Sequence, residues 1–193
     1  MSKHVVVIAG PTGSGESTIT NEIARRFPAR VKRLVTATTR TPRTGEKNGV
    51  DYYFFTKDEF EREKMEGRIL ESTYIENRDT YYGTYGPDLA EKLKAGFIVV
   101  MNPDLIGAKY YKKHYHATTI FIVPGNPDGL ELRLRKRNPD MSEREIAQRK
   151  DNALREMHDE KPFYDYTVMN EDDKLEEAVQ EVIEILRKEG YTL

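Results

Sequence analysis

The chain has 193 residues, a length that suits one domain or a core with two small inserts. One third of the residues are charged, yet the formal net charge is only −2, so nothing in the composition favours a nucleic-acid partner. The absence of cysteine excludes disulfides and thiolate metal sites, and no apolar run has the length of a membrane helix or the pattern of a signal peptide. We therefore expect a soluble, cytoplasmic protein with no membrane partner.

Apolar periodicity predicts strands and helices in turn through the first half of the chain. Strands are predicted at residues 5–9, 34–38, 52–55, 69–76 and 80–83. Helices are predicted at residues 17–27, 56–66 and 86–96. Pro28 ends the first helix, and a capping box of Thr56 and Glu59 opens the second.

The alternation continues in the second half of the chain. Strands are predicted at residues 97–101, 118–123 and 166–169, and helices at residues 105–115, 129–136, 142–160 and 175–188. Ser142 and Glu145 form a second capping box at the start of the long charged helix. The last helix is amphipathic, and its predicted inward residues are Leu175, Val179, Val182 and Leu186.

Strands that alternate with helices predict an α/β fold, with a mostly parallel sheet covered by helices on both faces. Residues 39–86 break this rhythm with consecutive strands and glycine turns, which predicts an inserted small α+β subdomain. The charged residues 133–155 predict a helical lid over the site. We expect one domain, with a core formed by residues 1–38, 87–132 and 156–193.

A glycine-rich turn between the first strand and the first helix indicates a phosphate-binding loop. It fits G-x-x-x-x-G-K-[ST] at Gly10, Gly15 and Ser17, but Glu16 stands where the pattern has lysine. Backbone N–H groups of such a loop bind phosphates, and the Ser17 hydroxyl is placed for Mg²⁺. The predicted phosphate-binding residues are Gly10, Thr12, Gly13, Ser14, Gly15, Ser17 and Thr18. The alternative is a glycine-rich joint with a purely structural role.

A second candidate site is the loop that follows the second predicted strand. Arg40 and Arg43 lie three residues apart among hydroxyl side chains. Arginine forks suit the bidentate binding of a phosphate dianion. The alternative is a solvated basic loop, which is how most arginine pairs behave.

The chain resembles the guanylate kinases over essentially its whole length. Residues 38–52 read T-T-R-x-P-R-x-G-E-x-x-G-x-D-Y, which is similar to the GMP-binding signature of that family. The resemblance continues at Glu71, in Y-Y-G-T at 81–84, and in R-x-x-x-A-x-x-E at 149–156. Further matches are Asp104, Gly107, Arg133, Arg137 and residues 165–170, with about two extra residues near 77–79.

The resemblance implies a P-loop nucleoside monophosphate kinase fold and transfer of the ATP γ-phosphate to GMP or dGMP with Mg²⁺. It implies that the GMP phosphate is bound by Arg40, Arg43, Tyr52 and Tyr82. It assigns the guanine base to Glu71, Thr84 and Asp104, with Thr36 at a position where the family usually has serine. Glu71 would accept from guanine N1–H and the 2-amino group, which adenine does not offer. Arg133, Arg137 and Arg149 would close over the ATP phosphates from the lid.

Two residues depart from the family pattern on the ATP side. Glu16 replaces the lysine, and Asn102 replaces an aspartate that would lie near the metal, so Ser17 and Asn102 are the predicted metal residues. A negative charge in place of a positive one reverses a Coulomb energy of about 4 kcal/mol at 4 Å in an effective dielectric of 20. The repulsion between Glu16 and the phosphates would be relieved if the lid arginines paired with the carboxylate, if a metal ion bridged it, if it turned away from the loop, or if it took up a proton.

Two alternatives to the kinase stay open at this point. Glu16 and Asn102 favour a nucleotide-binding module with the guanylate kinase fold and little catalysis. The second alternative is a related kinase of a small sugar phosphate, against which Glu71 and Thr84 argue because a base-free substrate would not use them. The resemblance is compatible with a monomer or a homodimer.

Overall fold

The computed structural model describes residues 3–125, 127–137 and 141–193, without the side chains of 127–129, 136 and 137. The strands are β1 (Val5–Ala9), β2 (Val31–Arg33), β3 (Ala37–Thr38), β4 (Tyr53–Phe54), β5 (Ile69–Ile75), β6 (Thr80–Tyr85), β7 (Ile98–Met101), β8 (Thr118–Pro124) and β9 (Tyr166–Asn170). The α-helices are α1 (Glu16–Arg26), α2 (Lys57–Met65), α3 (Gly86–Lys94), α4 (Leu105–Tyr115), α5 (Pro127–Arg137), α6 (Glu143–Asp159) and α7 (Leu175–Lys188).

The larger sheet has five parallel strands in the order β2-β7-β1-β8-β9. Its central strand β1 is buried along its whole length, as a strand covered on both faces requires. The strands on the two sides of β1 are β7 and β8, so the chain changes direction across the sheet there. Ligands of open parallel sheets bind at the carboxyl ends of the strands beside such a switch point. The predicted α/β fold class is confirmed.

Two apolar layers cover the larger sheet. On one face α1 and α7 pack against the sheet, and on the other face residues of α3 and α4 do so. Val179, Val182 and Leu186 of α7 are buried as predicted. The prediction is wrong for Leu175, which is 37% exposed, because the first turn of α7 borders a cavity beside the phosphate loop.

The burial of α7 gives a stability prediction. Leu186 is fully buried in the core, so Leu186→Ala removes apolar contacts and leaves a cavity. We expect it to lower the free energy of unfolding by about 2–5 kcal/mol. Leu175→Ala on the same helix is the matched control and should change it by less than about 1 kcal/mol. Urea denaturation of the two variants measures the difference, and equal losses would contradict the burial of Leu186 in the core.

The smaller sheet has the strand order β4-β3-β6-β5 and packs on α2. Its β3–β6 and β5–β6 pairs are antiparallel, and β3–β4 is parallel. Of the predicted strand at 34–38, only residues 37 and 38 form a strand, which is β3 of the smaller sheet. The edge strand of the larger sheet is β2, which precedes the predicted strand. Residues 37 and 38 thus pair with the insert, two residues before its predicted start at residue 39.

Asp88 joins the two connections between the sheets. Residues 34–36 lead from the larger sheet to β3, and β6 leads directly into α3, which carries Asp88. The Asp88 carboxylate accepts from Val35 N–H at 3.0 Å and from the Tyr53 hydroxyl at 3.2 Å, and it forms an ion pair with Lys92. The points of entry and exit of the smaller sheet are thus held at one side chain.

Candidate active site

The phosphate loop runs from the end of β1 into α1, and its backbone requires glycine. Gly13 and Gly15 have φ values of 91° and 93°, a region that other residues rarely adopt. A Cβ atom at Gly10 would lie 2.4 Å from the Ile122 carbonyl oxygen. Thr12 and Thr18 are exposed on the loop and the first turn of α1, whereas Ser14 is buried. The sequence pattern thus corresponds to a loop whose shape only these glycines permit.

Two side chains from neighbouring elements bind the carbonyl groups of this loop. Asn170, the last residue of β9, donates its amide N–H to Ser14 O at 2.7 Å. Arg133 of α5 donates to Gly13 O and Ser14 O at 3.3 Å each and to Asn170 O at 2.9 Å. It also forms a 2.8 Å ion pair with Asp172. Arg133 therefore holds the loop itself, and Asn170 joins the residues that shape the site.

Glu16 begins α1, where a negative charge is favourable because of the helix dipole. Its carboxylate accepts from Ser14 Oγ at 2.8 Å and from Ser17 Oγ at 3.4 Å. Glu16 forms no ion pair with any residue in the described ranges, so no arginine described there neutralises it. The pKa of Glu156 on α6 is raised mainly by burial, and the negative charges of Glu160 and Glu16 add to this.

The remaining lid arginines lie on α5 and α6. Arg149 precedes Glu156 by seven residues, so the two share one face of α6. Arg149 makes no hydrogen bond or ion pair with the described part of the chain. Arg137 ends α5, and its side chain lies outside the described residues.

Asn102 follows β7 at the same edge of the larger sheet. Its side-chain N–H₂ donates to Ile8 O at 2.7 Å and to Thr20 Oγ1 at 2.9 Å. Its Oδ1 atom is buried and has no hydrogen-bond partner among the described residues. A buried oxygen without a partner suits a metal ion or a metal-bound water, since Mg²⁺ prefers oxygen ligands. The residue therefore fits the magnesium assignment through Oδ1 alone.

A cavity of about 250 Å³ lies between the two sheets. Six predicted acceptor-binding residues line it, and they are Thr36, Tyr52, Glu71, Tyr82, Thr84 and Asp104. Asn102 lines it as well, so the cavity reaches the carboxyl edge of the larger sheet. The structure thus brings together residues that are up to 68 positions apart in the chain, from Thr36 to Asp104.

The two predicted phosphate-binding arginines do not line this cavity. The Arg40 guanidinium forms a bidentate contact with Glu46 at 2.8 and 2.9 Å, and its Cζ lies 5.2 Å from the centre of the Tyr52 ring. Glu46 also accepts from Arg43 N–H at 2.7 Å. The Arg43 side chain is exposed and makes no ion pair with the described residues. Glu46 therefore orders the loop and holds Arg40 against Tyr52.

The base-reading end of the cavity is the part lined by Glu71, Thr84 and Asp104. Its hydrogen bonds involve two residues that could not be predicted from the sequence. Thr84 Oγ1 donates to Glu71 Oε1 at 2.6 Å, and the Tyr111 hydroxyl donates to Thr84 Oγ1. Thr73 Oγ1 donates to Asp104 Oδ2. No local pattern reveals these partners, because Tyr111 reads as a core aromatic residue of a helix and Thr73 as a strand residue.

Burial raises the pKa of Glu71, and the nearby Asp104 charge adds to this, while the Thr84 hydrogen bond opposes it. Only the ionised carboxylate can accept two N–H groups, and that form is lost as the pH falls through the raised pKa. For GMP, the acceptor that the resemblance implies, we expect kcat/KM to fall on acidification at a higher pH than an ordinary glutamate would give. A pH profile of kcat/KM measures this, and Glu71→Gln, which cannot ionise, should lack this component. An identical acid limb in that variant would contradict the assignment.

A glycine-rich phosphate loop at the carboxyl edge of a parallel sheet, together with a cavity between that sheet and a smaller second sheet, is typical of nucleoside monophosphate kinases. Comparison with known proteins narrows this class. The family model described as guanylate kinase matches residues 2–189. The chain belongs to the guanylate kinase family. It is accordingly a phosphotransferase that acts on GMP with ATP.

Individual relatives agree over nearly the full length. The chain is 36% identical to a guanylate kinase of Rhodopirellula baltica, covering 98% of this chain and 90% of that protein. It is 37% identical to one of Fusobacterium nucleatum, covering 93% and 94%. A crystal structure of guanylate kinase from Anaplasma phagocytophilum is similar with a TM-score of 0.73 at 28% identity, covering 99% and 88%. Among the described residues, no helix combines the length and apolar character needed to span a bilayer.

Proposed function

We propose that this chain transfers the γ-phosphate of ATP to GMP or dGMP and releases ADP with GDP or dGDP. The observation that carries this proposal is the lining of one cavity by Glu71 and Thr84 together with Tyr52 and Tyr82. Glu71 and Thr84 are suited to a guanine edge, and the tyrosines to a phosphate beside Arg40. No side chain is needed as a general base, because the phosphate oxygen of GMP is itself the nucleophile.

On the ATP side we assign the phosphates to the loop from Gly10 to Thr18. A second cavity of about 550 Å³ adjoins that loop. Leu132 and Leu175 give it an apolar part, and Gly15, Thr18 and Arg133 line the side next to the loop. An aromatic base against the leucines and phosphates at the loop would match this distribution.

Ser17 and Asn102 would hold Mg²⁺, which supplies charge stabilisation to the transferred phosphoryl group when bound. Arg149 and Arg137 would add positive charge from the lid. Closing of the lid would exclude water that could otherwise hydrolyse ATP. We propose that an insert at about residues 39–86 and a lid at 133–155 move relative to the core. The transfer requires no covalent intermediate.

The cytoplasmic location and the monomeric or homodimeric state stay predictions from the sequence. The sugar-phosphate alternative is disfavoured by the two base-reading side chains. The alternative of a nucleotide-binding module with weak catalysis keeps one observation in its favour, which is that Glu16 has no cationic partner among the described residues.

A coupled assay of ADP release separates these functions. We expect turnover with GMP and dGMP, and little with AMP or with ribose 1,5-bisphosphate as acceptor. Binding of GMP, measured by calorimetry, without turnover at high enzyme concentration would support the binding module instead. Turnover with ribose 1,5-bisphosphate alone would support the sugar-phosphate kinase.

A further inference from the structure

Tyr111 lies on the buried face of α4, behind the base-reading end of the acceptor cavity. Its side chain is 0% exposed, and its hydroxyl hydrogen bonds to Thr84 Oγ1. Thr84 Oγ1 in turn lies 2.6 Å from Glu71 Oε1. The three side chains therefore form a continuous hydrogen-bonded chain from the interior of the protein to the carboxylate in the cavity, which we call the Tyr111–Thr84–Glu71 chain.

The number of protons fixes the direction of this chain. The Thr84 hydroxyl has a single proton and contacts two oxygen atoms. An ionised carboxylate only accepts, so Thr84 must donate to Glu71, and Tyr111 must donate to Thr84. Burial raises the pKa of Tyr111, so the phenol keeps the proton that it donates. The observed arrangement is thus the one that matches an ionised Glu71.

The surroundings of Glu71 otherwise oppose its ionisation. Burial and the charge of Asp104, the N-cap residue of α4, both raise its pKa, and among the described residues it is the hydrogen bonds from Thr84 that lower it. The Tyr111 phenol is a further titratable group close to it, and Tyr52 and Tyr82 line the same cavity. No lysine or arginine of the described residues contributes. Because hydrogen bonds in a chain polarise and strengthen one another, a donor to Thr84 strengthens the bond from Thr84 to Glu71.

We propose that Tyr111 is a positioning residue for guanine recognition, which holds the Thr84 hydroxyl in the orientation that supports the ionised, N–H-accepting form of Glu71. This inference rests on the proposed function, because it takes GMP as the acceptor. Tyr111 itself does not line the cavity, so its hydroxyl acts on the base only through Thr84 and Glu71. It adds a buried residue of α4 to the determinants of base specificity.

The test compares Tyr111→Phe with Tyr115→Phe. Tyr115 lies one turn later on α4, is half-buried, and packs its ring 5.6 Å from that of Tyr111. For Tyr111→Phe we expect KM for GMP to rise about five-fold, the factor that one net hydrogen bond of typical strength gives. KM for ATP and kcat at saturating GMP should stay at the wild-type values. The acid limb of kcat/KM for GMP should move to higher pH, because Glu71 loses support for its charge. Tyr115→Phe should behave as the wild type.

The inference is overturned if both variants share the KM for GMP and the acid limb of the wild type, or if Tyr111→Phe changes KM for ATP equally. Should Tyr111→Phe fail to fold, a comparison of Thr84→Val with Thr84→Ser tests the same chain. The valine variant removes the hydroxyl between Tyr111 and Glu71, and the serine variant keeps it. Only the valine variant should move the acid limb of kcat/KM for GMP. The proposed function fails separately, through absence of GMP phosphorylation by the wild type. If the wild type binds GMP without turnover, the dissociation constant from calorimetry replaces KM in each comparison, and absence of GMP binding overturns both.

Discussion

Glu16→Lys is expected to raise kcat/KM for ATP at least about ten-fold while leaving KM for GMP unchanged. The carboxylate now lies at the start of α1 between two serine hydroxyls, with no cationic partner among the described residues. A lysine there would place a positive charge beside the ATP phosphates, and the full change of sign corresponds to several kcal/mol at contact distance. Part of this is lost to solvent screening, so we expect a gain well below the unscreened value. Steady-state kinetics with varied ATP at saturating GMP measure it.

Glu16→Gln separates charge from shape in this experiment. It keeps the size of the side chain and removes the negative charge, and it can still hydrogen bond to Ser14 and Ser17, although its amide N–H₂ would donate to one serine where the carboxylate accepts from both. We expect kcat/KM for ATP to lie between those of the wild type and the lysine variant. Loss of activity in both variants would show the opposite, namely that the carboxylate itself serves the transfer step.

Glu71→Gln is expected to lower kcat/KM for GMP about 100-fold, since hydrogen bonds to a charged group contribute about 1.5–3 kcal/mol. The change puts an amide in a buried position where guanine N1–H and the 2-amino group both need acceptors. Thr84 would also lose the charged partner of its 2.6 Å hydrogen bond. The loss should fall on KM for GMP, measured at saturating ATP, and KM for ATP should stay constant.

Glu76→Gln is the matched control, because Glu76 is an exposed glutamate in the short turn after β5. It removes the same charge from the same hairpin, and Glu76 does not line the cavity. We expect kinetics equal to the wild type. If Glu71→Gln were equally silent, Glu71 would not read the base, and the sugar-phosphate alternative would regain support.

Local patterns were sufficient for most of the fold and insufficient where the chain moves between sheets. The helix α7 was predicted to its end residues, because its apolar period is strong. The edge strand β2 was missed because its sequence, V-K-R, has one apolar residue and pairs only with β7. The β-branched run at 34–38 predicts one strand, but its first three residues connect the two sheets. Register and sheet membership are set by distant partners that a local pattern does not contain.

The same limit applies to the site. The residues of the acceptor cavity could be named from the family signature, whereas the groups that orient them could not. Tyr111 meets Thr84 across 27 positions, and Thr73 meets Asp104 across 31. Each looks ordinary in its own element, since an aromatic residue in a helix and a threonine in a strand are common. The Arg40–Glu46 contact was also invisible, because the loop that brings the two together follows no periodic pattern.

The arrangement at Asp88 has a consequence for how the acceptor cavity can close. The smaller sheet leaves the larger one through residues 34–36 and returns directly into α3. Val35 on the first route donates to the Asp88 carboxylate, and the second route carries Asp88 itself. Two short covalent connections that meet near one point leave a rigid body with essentially one easy rotation. We expect the smaller sheet to rotate about these two connections, beside Asp88, and to carry Glu71, Tyr52 and Tyr82 with it. A few backbone torsions at 34–36 and at the start of α3 would then set the width of the whole cavity. Because so few torsions change, the protein would lose little conformational entropy when the cavity closes.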